Sequence, residues 1–178
     1  MTSDTPAPDK ESIAALIGQL DDPAIDNRHE AVLALARTGP DAVLPLIQSL
    51  AGATGDEPRW YRSVALAKVG TPIIAPLIAA MKENRDFEFR RYAAAALGEL
   101  GEAAVEPLIE AMGSDDKELR GFFSKALCRI GKPAIVPLTR HISDEDEILR
   151  SCATLTLWQM GESGLTPMIE KLHDDKKE

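Results

Sequence analysis

Aromatic residues are scarce in this sequence: they make up 4% of its 178 residues, whereas hydrophobic residues as a whole make up 44%. A chain this long and apolar can bury a core, but small and aliphatic side chains must form most of it. That mix favours closely packed helices over a β-sandwich. No long stretch alternates with the period of two that a half-buried strand requires.

Cysteine and basic charge are also limited. Cys128 and Cys152 are too few for a disulfide framework and lie within helical patterns, so we predict reduced, half-buried packing thiols. The net charge is −9, and no basic face is evident that could replace phosphate counterions. The sequence therefore predicts no nucleic-acid partner.

Long hydrophobic runs are missing as well. No stretch approaches the ~20 apolar residues of a transmembrane helix, and the opening MTSDTPAPDKES lacks the order of a signal peptide. We therefore expect no membrane partner and a cytoplasmic location. Residues 1–11 are predicted as a disordered lead-in and residues 175–178 as a short C-terminal tail.

An internal repeat dominates the rest of the chain. Five glycines recur at intervals of 31, 31, 30 and 30 residues: Gly39, Gly70, Gly101, Gly131 and Gly161. Counted from each glycine, arginine stands at −11, leucine at −4 and proline at +6. Chance would not keep these columns in register over five copies.

Each copy predicts two helices. The A helix runs up to the glycine, which can take the left-handed conformation that ends a helix. The B helix follows at once, with its regular part starting near the proline. The linkers SDD (114–116) and SDEDE (143–147) predict caps for the A helices that follow them.

Such a hairpin cannot bury its apolar face alone, but stacked copies can. The sequence thus predicts an all-α, right-handed α-solenoid of five helical hairpins behind an N-terminal half-repeat cap helix. The repeat domain spans 12–174, with the cap helix at 12–20. The five repeats are predicted at about 22–52, 56–83, 86–113, 116–142 and 146–173.

The columns Arg-(x)5-Ala-Leu-(x)3-Gly and Val-x-Pro-Leu-Ile resemble HEAT repeats, and specifically the short HEAT-like repeats of phycobilisome bilin lyases. The resemblance covers residues 12–173. It implies the solenoid fold, but family members include bilin lyase subunits, a di-iron hydroxylase of deoxyhypusine and scaffolds without chemistry. Fold kinship does not choose among them.

A di-iron centre needs several convergent His and Glu ligands, and this chain has one His-Glu pair, His29-Glu30. We therefore reject the hydroxylase activity and interpret His29 as a surface helix residue. No phosphate loop, CxxC pair or nucleophile elbow occurs either. The sequence predicts no cofactor and no enzymatic activity.

The arginine column predicts structure rather than ligand binding. Its members are Arg28, Arg59, Arg90, Arg120 and Arg150. Aspartates recur four residues before three of these arginines, at Asp86, Asp116 and Asp146. We expect Arg–carboxylate pairs between adjacent repeats.

A partner would bind at positions that the repeat does not dictate. On the B helices, +4, +7, +8 and +11 should point inward, whereas +5, +9 and +10 should face the concave surface. The candidate partner-binding residues there are Leu44, Gln48, Ala75, Ala79, Glu106, Glu110, Arg140 and His141. Apolar positions with an acidic flank suit a peptide or helix that carries basic residues. Shallow alanines set by close helix packing are the alternative.

Three aromatic residues differ in type from the residues at the same position in the other repeats. Trp60 at −10 and Phe87 at −14 are candidate exposed anchors on the A-helix side, although Trp60 could instead cover the AGATG linker. Trp158 at −3 stands in a column of small residues, Ala36, Ala67, Gly98 and Cys128. It is the candidate end contact, either a lid on the last repeat or a dimer contact.

The sequence favours a non-enzymatic scaffold that binds a peptide or protein segment on its B-helix surface. One alternative, implied by the resemblance, is a bilin-lyase-like subunit or chromophore chaperone. A second is a structural subunit that assembles through its ends.

Overall fold

The computed structural model describes residues 10–174, and every element assigned within that range is helical. The predicted lead-in at residues 1–9 and the tail at 175–178 lie outside the described residues. Residues 10 and 11, also assigned to the lead-in, instead open the first helix. The chain divides between Ala80 and Met81 into two compact units.

The first unit holds the cap helix and the first two hairpins. Its helices are α1 (Lys10–Gln19), α2 (Ile25–Thr38), α3 (Val43–Gly52), α4 (Asp56–Val69) and α5 (Ile74–Glu83), the last of which runs past the unit boundary. Helix α1 packs against α2 and α3, and the A helices α2 and α4 pack side by side. Leu35, Leu46, Leu50 and Leu66 are fully buried between them.

The second unit repeats the same pattern. Its helices are α6 (Phe87–Gly98), α7 (Val105–Ala111), α8 (Lys117–Ile130), α9 (Lys132–Arg140), α10 (Glu147–Gln159) and α11 (Glu162–Asp174). The A helices α6, α8 and α10 pack in sequence order, as do the B helices α7, α9 and α11. Each unit is therefore a two-layer stack of hairpins, which is the packing of an α-solenoid.

The repeat glycines follow the A helices as predicted. They come directly after α2, α4 and α8, whereas two residues separate α6 from Gly101 and one separates α10 from Gly161. All five have a positive φ, between +63° and +90°. A side chain is strained there, which explains why the column tolerates only glycine.

In the first three hairpins the regular B helix starts near the repeat proline, as predicted. There a short 3-10 turn follows the glycine, and the α-helix begins two residues before the proline. A proline in the first turn of a helix costs little because the amide it lacks would have no partner within the helix. Pro137 and Pro167, in contrast, lie inside continuous helices.

Aspartates cap the A helices of the second unit. Asp86 accepts a hydrogen bond from the Phe89 amide, Asp116 from the Leu119 amide, and Asp146 from those of Ile148 and Leu149. The predicted caps in the linkers at 114–116 and 143–147 are thus confirmed. Each aspartate satisfies amides that the first turn leaves without helical acceptors.

The predicted arginine ladder is only partly correct. Arg90 pairs with Asp116 of the next hairpin, at 2.9 Å between Nη2 and Oδ2, and Arg28 pairs with Glu57. Arg120 and Arg150 instead donate to the carbonyl oxygens of Ser114 and Asp144.

Among the described residues, no single helix has the length and apolar content to cross a membrane. The helix pair Asp56–Val69 and Thr71–Glu83, bent by 113°, meets that test by length and composition only.

Candidate functional site

The B helices of the first unit expose the predicted columns. Leu44 is 63% exposed, and Gln48, Ala75 and Ala79 are exposed as well. Positions +5 and +9 are one helical turn apart, so they lie on the same outward face. The neighbouring +4, +7 and +8 positions are buried in both helices.

Position +10 does not lie on that face, contrary to prediction. Ser49 is half-buried, and its hydroxyl accepts a hydrogen bond from Arg62 Nε at 2.6 Å. Ala111, its counterpart in the second unit, is 5% exposed. A residue at +10 lies 100° around the helix from +9, which turns it towards neighbouring helices.

The second unit places charges on the same columns. Glu106, Glu110 and Arg140 are exposed, and Val136 between them is 62% exposed. Arg140 Nη1 lies 3.8 Å from Glu106 Oε1. An ion pair so exposed contributes little to stability. This pair joins position +9 of one repeat to position +5 of the preceding repeat.

His141 lies at the edge of this surface rather than on it. It is half-buried after the end of α9, and its Nδ1 lies 2.9 Å from Asp144 Oδ2. This hydrogen bond, joined by the Asp146 amide, lowers the pKa of Asp144 below its ordinary value. His141 therefore holds the linker after α9, which corrects its assignment to the partner-binding surface.

A cleft of about 620 Å³ opens beside Val136. Its lining is mainly apolar, from Ile135 and Val136 of α9, Met160 after α10 and Pro167 of α11. Lys132 and Ser163 add two polar groups at its margin. No sequence pattern predicted this cleft, because its walls come from helices that meet only in the folded hairpins.

The cysteines line two separate clefts of the second unit. Cys128 borders the cleft beside Val136, and Cys152 borders another of about 430 Å³ between α8 and α10. Both thiols are free and half-buried. Burial raises the pKa of each, although Arg120 partly opposes the effect at Cys152. Such thiols are poor nucleophiles at neutral pH.

The two anchor candidates on the A helices are both 48% exposed. Trp60 meets Tyr61 edge to face at 4.8 Å between ring centroids, and Phe87 meets Phe122 in the same way at 5.2 Å. Each ring thus rests on a buried aromatic residue and leaves about half of its surface open.

His29 is exposed and its ring lies 6.1 Å from that of Tyr61. Within residues 10–174, no group of three or more His, Cys, Asp or Glu side chains is arranged to hold a metal ion.

Arg62 is a key residue that the repeat analysis missed. It is 6% exposed, and its Nη1 and Nη2 donate to the two carboxylate oxygens of Asp21 at 2.8 and 2.6 Å. This contact ties the turn after α1 to α4. The signal in the sequence is an arginine at −8, a column that otherwise holds Ala31, Ala93, Phe123 and Ala153.

The model of the family described as HEAT repeats matches residues 74–158. This part of the chain is therefore similar to HEAT repeats. The match runs from α5 to α10, so it includes the B helices α7 and α9 of the second unit but not α11.

Several solved structures are similar to the chain at low identity. An engineered protein from a structural genomics consortium is 19% identical, with 89% of this chain and 84% of that chain covered, at a TM-score of 0.34. A designed armadillo repeat protein is 18% identical over 90% of this chain and 91% of its own, at 0.33. Another, solved in complex with the peptide (KR)4, is 19% identical with the same coverage, at 0.32. Among curated proteins, none matches this chain.

Proposed function

We propose that the chain is a non-enzymatic interaction module that binds a peptide or protein segment on its B-helix surface. The observation that carries the proposal is the apolar cleft of about 620 Å³ beside Val136. Clefts of about 300–1,000 Å³ with apolar walls and a few polar groups are typical ligand sites. Here the segment's anchor is an apolar side chain inserted between α9 and α11.

The acidic side chains around the cleft indicate which residues the bound segment should carry beside its apolar anchor. Glu106 and Glu110 of α7 and Glu170 of α11 are exposed on the +5 and +9 columns of the same unit. Arg140 offsets one of these carboxylates, so the surface stays acidic. A ligand with lysine or arginine on either side of its apolar anchor complements it, and the charges chiefly increase specificity and the association rate.

A binding role also fits the chemistry of the cleft. Its nucleophile candidate, Cys128, has a pKa raised by burial, which keeps the thiol protonated at neutral pH. Val136 supplies a stiff apolar wall and Met160 an adaptable one, a combination that suits recognition of a side chain.

The test is selection of peptides from a random displayed library on the purified chain, followed by affinity measurements with variants. Val136→Asp should weaken the selected peptides at least about tenfold by placing a charge at the rim of the cleft. Leu155→Asp is the matched control, since Leu155 is 56% exposed but lies on α10, an A helix. It should leave binding unchanged.

A second variant tests the role of the acidic residues Glu106 and Glu110. Glu106→Lys with Glu110→Lys should weaken basic peptides and reduce the salt dependence of their binding. Peptides that bind Val136→Asp and the wild type equally would overturn the proposal. So would a tetrapyrrole that occupies the cleft with a change in visible absorbance, which would favour the chromophore alternative.

A further inference from the structure

The last hairpin exposes positions that are buried in the earlier ones. Ile169 at +8 is 50% exposed and Leu172 at +11 is 42% exposed. Their counterparts Ile109 and Met112 in α7 and after it are 1% and 0% exposed. In the first unit, Ile47 and Leu50 are equally well covered, at 7% and 0%. Positions +8 and +11 are therefore the ones that become buried when the next hairpin packs on a repeat.

Trp158 lies on the same side of the last hairpin and is 63% exposed. Its column, −3, also faces the following repeat. At Gly98 an added Cβ would lie 2.7 Å from Cδ and 3.0 Å from Cβ of Arg129 in the next A helix. Gly98 thus has no room even for a methyl group, and the largest side chain that this column holds in the other stacked hairpins is that of Cys128. The column therefore accepts only small side chains where a hairpin stacks in the regular register, and an indole ring does not fit there.

We infer that this end face, Trp158, Ile169 and Leu172, is the contact of a two-fold symmetric homodimer. Every copy carries the same face, so one two-fold contact covers both, with the ring of each copy against the aliphatic pair of the other.

The available area agrees with a dimer of ordinary size. The three side chains expose roughly 300 Å² of apolar surface, the size of a patch that marks an interaction site. A standard interface buries about 800 Å² per partner, with an apolar core and a polar rim. The end face supplies that core. Each copy carries a net charge of −9, so salt should strengthen the contact by screening repulsion.

Sedimentation equilibrium of the full chain tests the inference over micromolar concentrations at low and high salt. We expect a monomer–dimer equilibrium between 19.3 kDa and twice that mass. Trp158→Ala and Ile169→Asp should each weaken the dimer at least about tenfold. Trp60→Ala is the matched control, because this second tryptophan is 48% exposed in the other unit and should leave the dimer intact.

A spectroscopic measurement keeps the test independent of folding defects. In a Trp60→Phe background, Trp158 is the only tryptophan, and its emission should shift to the blue as the dimer forms. A chain that stays monomeric, oligomers that grow beyond two copies, or equal effects of Trp158→Ala and Trp60→Ala would each overturn the inference. Val136→Asp should not affect the dimer, which separates this result from the peptide proposal.

Discussion

At the scale of single residues, the −11 arginine shows why the repeat keeps this side chain. Arg90 is 1% exposed, and its Nε donates to the carbonyl oxygens of Met81 and Asn84 at 3.0 and 2.8 Å. Its Nη2 faces Asp116, which caps the next A helix. A guanidinium can serve these acceptors together because its donors form a planar fork, whereas a lysine ammonium cannot.

Replacing Asp116 with Asn should isolate the charge of this pair, because Asn also caps helices well. We expect Asp116→Asn to lower the free energy of unfolding at pH 7 by about 1–3 kcal/mol, since buried Arg90 loses a charged partner. Urea unfolding measures the change. Asp146→Asn is the control, as Asp146 caps α10 through two amides. Equal losses in both variants would show that only capping is involved.

The close packing of Gly98 against the next hairpin leads to a second prediction at the scale of single residues. Gly98→Ala should destabilise the protein by about 1–3 kcal/mol, because the new methyl group overlaps Arg129. Gly121→Ala, in an exposed turn of α8 with open space around it, should instead stabilise it by about 0.5–1 kcal/mol. Thermal unfolding of both variants shows whether each substitution raises or lowers the stability. A stabilising Gly98→Ala would mean that Arg129 moves aside freely.

At the scale of elements, an ion pair outside the repeat pattern adds to the apolar contacts of the cap helix. No A helix precedes α1 within residues 10–174, and the turn that follows α1 is joined to α4 by the contact between Asp21 and Arg62. The hydrogen bond from Arg62 lowers the pKa of Asp21, so the carboxylate stays ionised when the protein is folded. This contact fixes α1 on the first hairpin.

Asp21→Asn should therefore loosen α1 before it affects the rest of the unit. Hydrogen exchange should become faster across Lys10–Gln19, while α3 and α4 keep their protection. Asp22→Asn, one residue further along the turn, serves as the control and should leave α1 protected. Unchanged exchange in α1 of Asp21→Asn would show that apolar contacts alone hold the helix.

At the scale of the whole molecule, paired aspartates determine the response to acid. The pKa values of Asp21, Asp116 and Asp144 are all lowered, chiefly by Arg62, by the Leu119 amide and by His141, respectively. These groups bind protons more weakly in the folded state than in the unfolded state. Their stabilisation is complete above the unfolded pKa of about 4 and is lost as the pH falls through the folded values.

Stability should consequently decrease steeply below about pH 4. A variant with all three aspartates changed to Asn should be less stable at pH 7 but lose less between pH 5 and 3. The control changes the exposed Asp26, Asp41 and Asp115 to Asn, which alters the net charge equally. Urea unfolding across this pH range measures the slopes, and parallel curves for the two variants would contradict the prediction.

The sequence by itself determined the hairpin architecture, the glycines that follow the A helices and the aspartate caps in the linkers. These features depend on backbone conformation and helical period, which are local properties repeated in every copy. Exposure of Leu44 and Trp158 also followed from the columns. The cleft beside Val136, the Arg62–Asp21 pair and the turn of +10 away from the surface were decided by the tertiary structure. Each requires knowing which side chains from separate helices meet, and a repeat pattern records only what the copies share.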